Sequence, residues 1–278
     1  MAFEGIAPMK QVETYIAQFS DKTIAVSVHD LETGNEIHIN ADQAFHPASI
    51  FKVHVMMEVF RQAQEGLFSL DDSLQIINSF TSIADGSKFS LDVNDDSETT
   101  LYSRLGENES ISELTRLMIV RSSNLATNIL IEKVGTQNVN SFIRTLGIDG
   151  VSVLRGVEDS AAFRLGMNNS ATARGLTQTM KLIAEGKVVS KRISEKMIAI
   201  MLQQEFNESI PALLPKSARV AHKTGWTGEF YHDTGIVFPE NRKPYAISIM
   251  TRGFAEDNEK AAHECMASVS KMIYEQLQ

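Results

Sequence analysis

The spacing of apolar residues at the start of the chain predicts a helix followed by a β-hairpin. Three apolar residues fall on one helical face near the N-terminus: Val12, Ile16 and Phe19. Apolar and polar residues then alternate from Ile24 to Val28 and again from Ile37 to Ile39. The turn residues Glu32-Thr33-Gly34-Asn35 separate these two runs, so the runs are predicted to pair as a hairpin.

Helical spacing dominates the middle of the chain. The predicted helices are Ile50 to Glu65, Ser112 to Val120, Leu125 to Val134, Val139 to Leu146, Thr172 to Ala184 and Ser194 to Leu202. Four of them are followed by a glycine that is expected to end the helix: Gly66, Gly135, Gly147 and Gly186. Strand patterns return near the C-terminus in Val220 to Lys223, Gly235 to Phe238 and Tyr245 to Thr251. A last helix is predicted to bury Ala262, Met266, Val269 and Ile273.

Strands at both ends of the chain therefore bracket a helical middle. The pattern predicts an α+β fold with one antiparallel sheet built from both chain ends. We expect an α/β sandwich lobe from residues 1–48 and 216–278, and an all-helical lobe from residues 49–215. Clefts between lobes are favoured ligand sites, so the active site is expected where the lobes meet.

Composition narrows the classes of function. The 278 residues carry a formal net charge of -9, and no basic run offsets it, which argues against a nucleic-acid partner. Seven acidic and two basic residues lie between Asp85 and Glu109. This acidic segment is expected to form a flap beside the cleft. The single cysteine, Cys265, excludes an intramolecular disulfide and is expected to be a buried, inert thiol.

The sequence gives no indication of a membrane span, a metal or another cofactor. No apolar run reaches membrane-spanning length, and the start lacks a basic stretch followed by an apolar core. As the sequence stands we expect a cytoplasmic protein; if a signal peptide has been removed, the protein is periplasmic or secreted. The histidines show no paired spacing with carboxylates that is typical of zinc sites.

Ser49-Ile50-Phe51-Lys52 places a hydroxyl and an amine three residues apart, on one face of a helix. The residues around Lys52 are apolar nearly all round, which indicates a buried helix. A buried lysine is either paired or functional. On a partly exposed helix the same lysine would extend its amine to solvent. Taken alone, the motif leaves both interpretations open.

Two further motifs follow along the chain. Ser122-Ser123-Asn124 precedes the helix that starts near Leu125, where serine and asparagine are also preferred as helix caps. Lys223-Thr224-Gly225 lies on a predicted strand, in which Lys223 and Gly225 share one face and Thr224 takes the other. The glycine allows a backbone or a ligand to approach closely.

In this order and on these elements, the three motifs resemble those of the serine β-lactamase and penicillin-binding protein superfamily, and most closely the class A β-lactamases. The resemblance covers nearly the whole chain. It implies that Ser49 is the acylated nucleophile and that Lys52 takes its proton. A neutral Lys52 requires a lowered pKa, which burial and a nearby cation such as Lys223 would favour.

The resemblance also implies roles for the other motif residues. Ser122 would relay a proton to the leaving nitrogen, and Asn124 would bind the amide side chain of the substrate. Lys223 and Thr224 would bind the substrate carboxylate. The backbone amides of Ser49 and Trp226, the latter just past Gly225, would form the oxyanion hole.

Release of the acyl group depends on a loop that departs from the class A pattern. Relatives use a glutamate in a Glu-x-x-Leu-Asn pattern, and the candidate here is Glu158. The expected asparagine is replaced by Ala162. In the family that asparagine helps to hold the hydrolytic water, so its absence leaves the role of Glu158 open. Asp159 is an alternative base, and a third interpretation is that Glu158 is a surface-loop carboxylate without a catalytic role.

Other departures concern the surroundings of the motifs. Ser123 stands where the family has an aspartate, which is expected to alter local structure more than chemistry. Tyr231-His232-Asp233 stands where many class A enzymes carry an arginine for the substrate carboxylate, and Arg252 is a candidate substitute. Asn169 replaces the aspartate of the ion pair that usually braces the loop. A looser loop is therefore expected.

The resemblance implies a serine hydrolase that opens β-lactam amides through an acyl-Ser49 intermediate, without a metal or cofactor. One alternative is a D-alanyl peptidase or esterase on the same fold. Another is a β-lactam-binding sensor module that is acylated once and does not turn over. The expected partner is a small-molecule β-lactam or D-alanyl peptide-like substrate, and a monomer is expected.

Overall fold

A computed structural model describes residues 6–255 and 258–278. The helices are α1 (Ile6–Ile16), α2 (Lys52–Gln64), α3 (Ile111–Val120), α4 (Asn124–Val134), α5 (Thr136–Thr145), α6 (Ser160–Arg164), α7 (Ala173–Ala184), α8 (Lys191–Met201) and α9 (Glu259–Gln276). The longer strands are β1 (Thr23–Asp30), β2 (Glu36–Ile39), β10 (Arg219–Thr227), β11 (Phe230–Phe238) and β12 (Tyr245–Arg252). The short strands are β3 (Ala44–Phe45), β4 (Ser73–Gln75), β5 (Phe80–Thr81), β6 (Lys88–Phe89), β7 (Asn108–Ser110), β8 (Val151–Ser152) and β9 (Ser170–Thr172). Short 3₁₀ helices are formed by Ala48–Phe51, Val93–Asp95 and Thr100–Arg104.

A five-stranded antiparallel sheet in the order β10-β11-β12-β1-β2 forms the centre of the fold. Strands from the two ends of the chain meet where β1 pairs with β12, from Thr23 opposite Arg252 to Asp30 opposite Tyr245. The predicted α+β class, with a sheet built from both chain ends, is therefore confirmed. β10 lies at one edge of this sheet and carries the Lys-Thr-Gly motif.

Both faces of the sheet are covered by helices. Side chains alternate between the faces, and on one of them Val28 and Ile247 pack with the apolar sides of α1 and α9. On the other face α7 crosses β1, β11 and β12. There the Thr177 hydroxyl donates to the Ser27 carbonyl at 3.0 Å. Cys265 on α9 is fully buried, as its apolar neighbours predict.

α2 is the buried centre of the helical part. Every residue from Lys52 to Phe60 is buried, because α3, α4, α5 and α8 pack around this helix. A helix surrounded in this way must be apolar nearly all round, as the sequence pattern indicates. Its buried carboxylate, Glu58, is satisfied by Arg61 and Gln62, which each donate to it at 2.7 Å.

The predicted helices and the hairpin are present, with ends that differ by a few residues. The four glycines expected to end helices have φ angles between 67° and 78°, a conformation that glycine adopts readily. β11 begins at Phe230 and not at the predicted Gly235, because both faces of residues 230–234 are covered and no alternation marks them. The proposed division into lobes of residues 1–48 with 216–278, and 49–215, stays a prediction.

Candidate active site

Ser49 lies in the 3₁₀ turn Ala48–Phe51, directly before α2. Ala48 enters this turn with a φ of 47°, a left-handed conformation that costs a non-glycine residue about 1–2 kcal/mol. Such strain persists only where the surrounding structure holds it, and it is concentrated at functional sites. Ser49 is half-buried, whereas Ala48 and Ile50 on either side of it are buried. The Ser49 side chain is therefore partly exposed to solvent, between neighbours that are buried in the core.

Lys52 is fully buried one turn further along. Its amine donates to the Ser122 carbonyl at 2.6 Å and to Asn124 Oδ1 at 2.8 Å, and it lies 3.3 Å from Ser122 Oγ. Burial lowers the pKa of Lys52 from 10.5 to about 7, although the charges of Asp96 and Glu158 oppose this effect. Lys52 is thus both paired and buried, and a neutral amine is accessible near pH 7.

Ser122 stands between two lysines. Lys223 donates to Ser122 Oγ at 3.0 Å and to the Thr224 carbonyl at 2.7 Å. Burial and the nearby charge of Lys52 hold the pKa of Lys223 well below its usual range. Two buried amines that share one hydroxyl repel each other when both are charged, and this favours a neutral amine beside Ser122.

The serines of the second motif have different contacts. Ser123 is the N-cap of α4, and its hydroxyl accepts from the Ala126 amide at 3.1 Å. The capping interpretation is therefore correct for Ser123. Ser122 has a φ of 56°, and its hydroxyl contacts the two lysines. The two adjacent serines therefore differ in role: Ser122 contacts the lysines, and Ser123 caps the helix.

Asn124 connects Lys52 to Glu158 through the two ends of its side-chain amide. Its Oδ1 accepts from Lys52, while its Nδ2 donates to Glu158 Oε1 at 3.3 Å and to the Asp95 carbonyl at 3.1 Å. The amide that the resemblance assigns to substrate binding is therefore already engaged. A substrate amide would have to share or displace one of these partners.

Glu158 lies on the loop before α6, half-buried, with a φ of 61°. Its Oε2 accepts from the Asp92 backbone amide at 3.0 Å. Burial raises the pKa of Glu158, and the charges of Asp95 and Asp96 add to this effect. Glu158 therefore accepts a proton more readily than an exposed glutamate does.

Asp159, the rival base, is engaged in structural hydrogen bonds. Its carboxylate accepts from Ser82 Oγ at 2.7 Å, from the Ile83 amide at 2.9 Å and from the Ala162 amide at 3.0 Å. Burial opposes ionisation of Asp159, but these hydrogen bonds outweigh burial and lower its pKa. The geometry therefore favours Glu158 over Asp159 as the base of this loop.

The loop that carries Glu158 is closed by amide groups. Asn169 Oδ1 accepts from the backbone amides of Leu154 and Arg155 at 2.7 and 3.0 Å, and Asn169 Nδ2 donates to the Arg155 carbonyl at 3.0 Å. Arg155 itself donates to Asn168 Oδ1 at 2.9 Å. These neutral partners replace the family ion pair, so the loop is braced at its base where a looser loop was expected.

Arg252, the candidate substitute for carboxylate binding, has a hydrogen bond elsewhere in the sheet. Arg252 donates to Thr23 Oγ1 at 3.4 Å, and residues 231–233 are buried within the sheet. Lys223 and Thr224 remain beside the site. Thr224 Oγ1 is buried and has no hydrogen-bond partner within the described part of the chain. A buried, unsatisfied hydroxyl next to a lysine is suited to a carboxylate oxygen.

Gly225 is the point where the sheet edge meets the nucleophile turn. A Cβ built on Gly225 would lie 2.7 Å from the Ser49 amide nitrogen and 3.0 Å from that of Ile50. The glycine thus permits the close approach that its place in the motif predicts. The Thr224 carbonyl accepts from the Lys223 amine. Backbone groups two residues apart point the same way in a strand, so the Trp226 amide faces the side on which the Thr224 carbonyl accepts from Lys223.

Trp226 forms an aromatic pair that the sequence does not predict. Its side chain is 43% exposed and stands edge-on to Phe206, with ring centroids 5.4 Å apart. The neighbouring Gln204 donates to the Ile119 carbonyl at 3.0 Å and so fixes this segment beside the end of α3. A single phenylalanine among polar residues gives no periodic signal, and only the fold places Phe206 beside the motif.

Asp96 is a second site residue that the sequence analysis missed. It accepts from the backbone amide of Asn124 at 2.9 Å, although the acidic segment gives no sign of which carboxylate turns inward.

Within residues 6–255 and 258–278, no group of three or more histidine, cysteine, aspartate or glutamate side chains is arranged to hold a metal. In the same residues, no helix is long and apolar enough to cross a bilayer.

The chain is similar to proteins named as β-lactamases and, in its fold, to PBP-A. The chain is 30% identical to β-lactamase BRO-1 of Moraxella catarrhalis over 173 residues, which is 59% of this chain and 55% of that protein. It is 26% identical to an imipenem-hydrolysing β-lactamase of Enterobacter cloacae, over 99% of this chain and 90% of that protein. A PBP-A variant, solved as an acyl-enzyme complex with penicillin G, superposes with a TM-score of 0.83 at 24% identity, over 98% of this chain and 96% of that one.

The sheet, the helical insertion and the shared serine-lysine cluster define a serine hydrolase of the class A β-lactamase type. The model of the β-lactamase enzyme family matches residues 7–277. The chain therefore belongs to that family, and the resemblance inferred from its three motifs is confirmed.

Proposed function

We propose that the protein opens β-lactam amides by acylation of Ser49 and then hydrolyses the acyl-enzyme. The observation that carries the proposal is the pair of buried amines, Lys52 and Lys223, that share the Ser122 hydroxyl beside the nucleophile turn. A serine hydroxyl needs a base to take its proton as it attacks a carbonyl. With its pKa lowered to about 7, Lys52 is suited to that task.

In this proposal the proton moves along the cluster. Lys52 takes the Ser49 proton while the hydroxyl oxygen attacks the lactam carbonyl, and the backbone amides of Ser49 and Trp226 stabilise the resulting oxyanion. As the bond between the lactam carbon and nitrogen breaks, Ser122 gives its proton to the leaving nitrogen and receives in turn the proton that Lys52 took from Ser49, across 3.3 Å. A substrate carboxylate bound near Lys223 and Thr224 Oγ1 would raise the pKa of Lys223 and keep this lysine charged during the reaction.

Glu158 is the proposed base for release of the acyl group. Its raised pKa and its link to Lys52 through Asn124 support this role. Ala162 supplies no side-chain amide to help orient the water, so deacylation is expected to be the slow step. This feature also favours the sensor module as a second candidate.

Intact-mass measurement over time after addition of a penicillin tests the proposal. We expect an adduct of the mass of the penicillin that later returns to the free mass. Absence of any adduct, or an adduct that survives Ser49→Ala, would refute the nucleophile assignment. A permanent adduct would refute turnover and support the sensor module, whereas hydrolysis of D-alanyl peptides without an effect on penicillin would support the peptidase alternative.

Glu158→Gln tests the proposed base of deacylation, with Asp159→Asn as the matched control in the adjacent residue. We expect Glu158→Gln to trap the adduct and Asp159→Asn to lower thermal stability while the adduct still clears. Equal clearance in Glu158→Gln and the unmodified protein would remove Glu158 from the mechanism. A monomeric state and a cytoplasmic location remain predictions.

A further inference from the structure

Asp96 is a buried carboxylate that caps the helix carrying the second motif. Its Oδ2 accepts from the backbone amides of Asn124 and Leu125, at 2.9 Å each, and from the Tyr102 hydroxyl at 3.0 Å. Its Oδ1 accepts from the Glu98 amide at 3.0 Å. The first amides of a helix lack partners within the helix, and a carboxylate there is favoured by hydrogen bonding and by the helix dipole.

The residues just before Asp96 contact the side chains of the site directly. The Asp95 carbonyl accepts from Asn124 Nδ2 at 3.1 Å, and the Asp92 amide donates to Glu158 Oε2 at 3.0 Å. We call residues 92–102 the clamp segment, because they touch both Asn124 and Glu158. Asp96 accounts for the side-chain bonds between the clamp segment and the backbone of α4.

We propose that Asp96 is the positioning residue of this site: it docks the clamp segment on the first turn of α4 and thereby holds Asn124 between Lys52 and Glu158. Relatives carry an aspartate at the position of Ser123. In this chain a carboxylate comes from the clamp segment and accepts from the first amides of α4. This inference rests on the proposed function, since that function gives Lys52 and Glu158 their roles.

The charge of Asp96 has a second consequence, for the ionisation of the site. The charged groups that act on Lys52 are Asp96 and Glu158, which raise its pKa, and Lys223, which repels it. Asp96 also raises the pKa of Glu158. Removal of the Asp96 charge should therefore lower both pKa values. The acid limb of the rate profile would move to lower pH, a change that loss of structure alone would not produce.

Asp96→Asn in the full chain tests the inference, because asparagine keeps the shape and one acceptor oxygen but removes the charge. Glu98→Gln is the matched control. Glu98 is also buried in the clamp segment, where it accepts from Thr100 and Leu101, and its Oε1 lies 3.6 Å from Arg121 Nη1; among the described residues its carboxylate makes no hydrogen bond to α4. The measurements are the acylation rate by penicillin as a function of pH and the thermal midpoint.

We expect Asp96→Asn to slow acylation by about 10–100-fold, since misplacement of a site group by about 1 Å has an effect of that order, and to shift the acid limb to lower pH. Glu98→Gln should keep the acid limb of the unmodified protein. An unmoved limb in Asp96→Asn, or the same shift in Glu98→Gln, would overturn the proposal. Failure of the unmodified protein to be acylated would instead refute the proposed function.

If Asp96→Asn does not fold, Tyr102→Phe provides an independent test. This change removes one donor to Asp96 and leaves the charge in place. We expect a two- to tenfold slower acylation, from the loss of one hydrogen bond worth about 0.5–1.5 kcal/mol, with an unmoved acid limb. An unchanged acylation rate in Tyr102→Phe would overturn the docking role of Asp96.

Discussion

Gly225→Ala should separate the sheet edge from the nucleophile turn. The added Cβ would lie 2.7 Å from the Ser49 amide nitrogen, whereas ordinary contact begins at 3.4 Å. The Cβ is bonded directly to the backbone of β10, and the nitrogen belongs to the backbone of the turn, so neither atom can move without its backbone, and β10 and the turn must move apart by about 0.7 Å. The displaced nitrogen is one of the two proposed oxyanion donors, and loss of one such donor costs about 10²–10³-fold in turnover.

We expect acylation of Gly225→Ala to be about 100-fold slower than that of the unmodified protein. Rapid mixing with a chromogenic β-lactam, followed by intact-mass analysis of quenched samples, measures that rate independently of deacylation. The free energy of unfolding should fall by about 1–3 kcal/mol, as is usual for overpacking. The measurement is therefore made well below the unfolding transition of the variant.

Gly228→Ala is the matched control for this change. Gly228 lies in the turn between β10 and β11 with a φ of 52°, and a Cβ there would have no heavy atom within 4 Å. Its replacement should cost about 1 kcal/mol of stability from the positive φ alone and leave acylation unchanged. Acylation of Gly225→Ala at the rate of Gly228→Ala would refute the close packing of β10 on the nucleophile turn as a requirement of the site.

Three further predictions follow from the buried groups and the aromatic pair. Because the pKa of Lys52 is about 7 and only the neutral amine takes a proton, the acylation rate should rise with pH, reach half its maximum near pH 7 and level off about one pH unit higher; a rate that does not change between about pH 6 and 8 would exclude Lys52 as the base. Burial lowers the pKa values of His54 and His232 from 6.5 to about 4. The unfolded chain therefore gains protons first, and the free energy of unfolding should fall by about 3 kcal/mol per histidine between pH 6.5 and about 4; denaturant titrations of His54→Gln should show a shallower fall, and an equal fall would contradict the assignment. Trp226→Ala and Phe206→Ala should raise KM about two- to tenfold with little change in kcat, since the proposed oxyanion donor is backbone; unchanged KM values would place the pair outside the substrate site.

The sequence predicts those parts of the fold that have a local periodicity of apolar residues. The helices and the hairpin repeat apolar residues within a few positions, and such spacing depends on the element alone. β11 shows where this reasoning fails, since its first half is covered on both faces and carries the buried polar pair His232 and Asp233. The residue types in this half are determined by contacts with residues distant in sequence, and a local sequence pattern carries no information about such contacts.

In the site, too, residues in local motifs are predictable from the sequence, whereas residues that act through tertiary contacts are not. Ser49, Lys52 and Lys223 belong to short motifs whose spacing is visible along the chain. Asp96 and Phe206 act through residues distant in sequence, Asn124 and Trp226, and neither has a spacing that marks it. The expectation of a looser loop at Asn169 failed for a related reason, since an amide can replace a carboxylate by accepting and donating at once.

The burial of two lysines around one hydroxyl is difficult to explain by stability. Removal of an amine from water costs several kcal/mol, and two neighbouring amines add mutual repulsion. The carbonyls of Ser122 and Thr224 and the side chain of Asn124 satisfy the hydrogen bonds, but apolar side chains of similar size would fill the same space without that cost. Burial gives Lys52 a pKa of about 7, which permits a neutral amine, and it holds the pKa of Lys223 well below its usual range. The burial of these lysines is therefore explained by a site that transfers protons. The positive φ of Ser122 agrees with this explanation, because strained backbone is concentrated at functional sites.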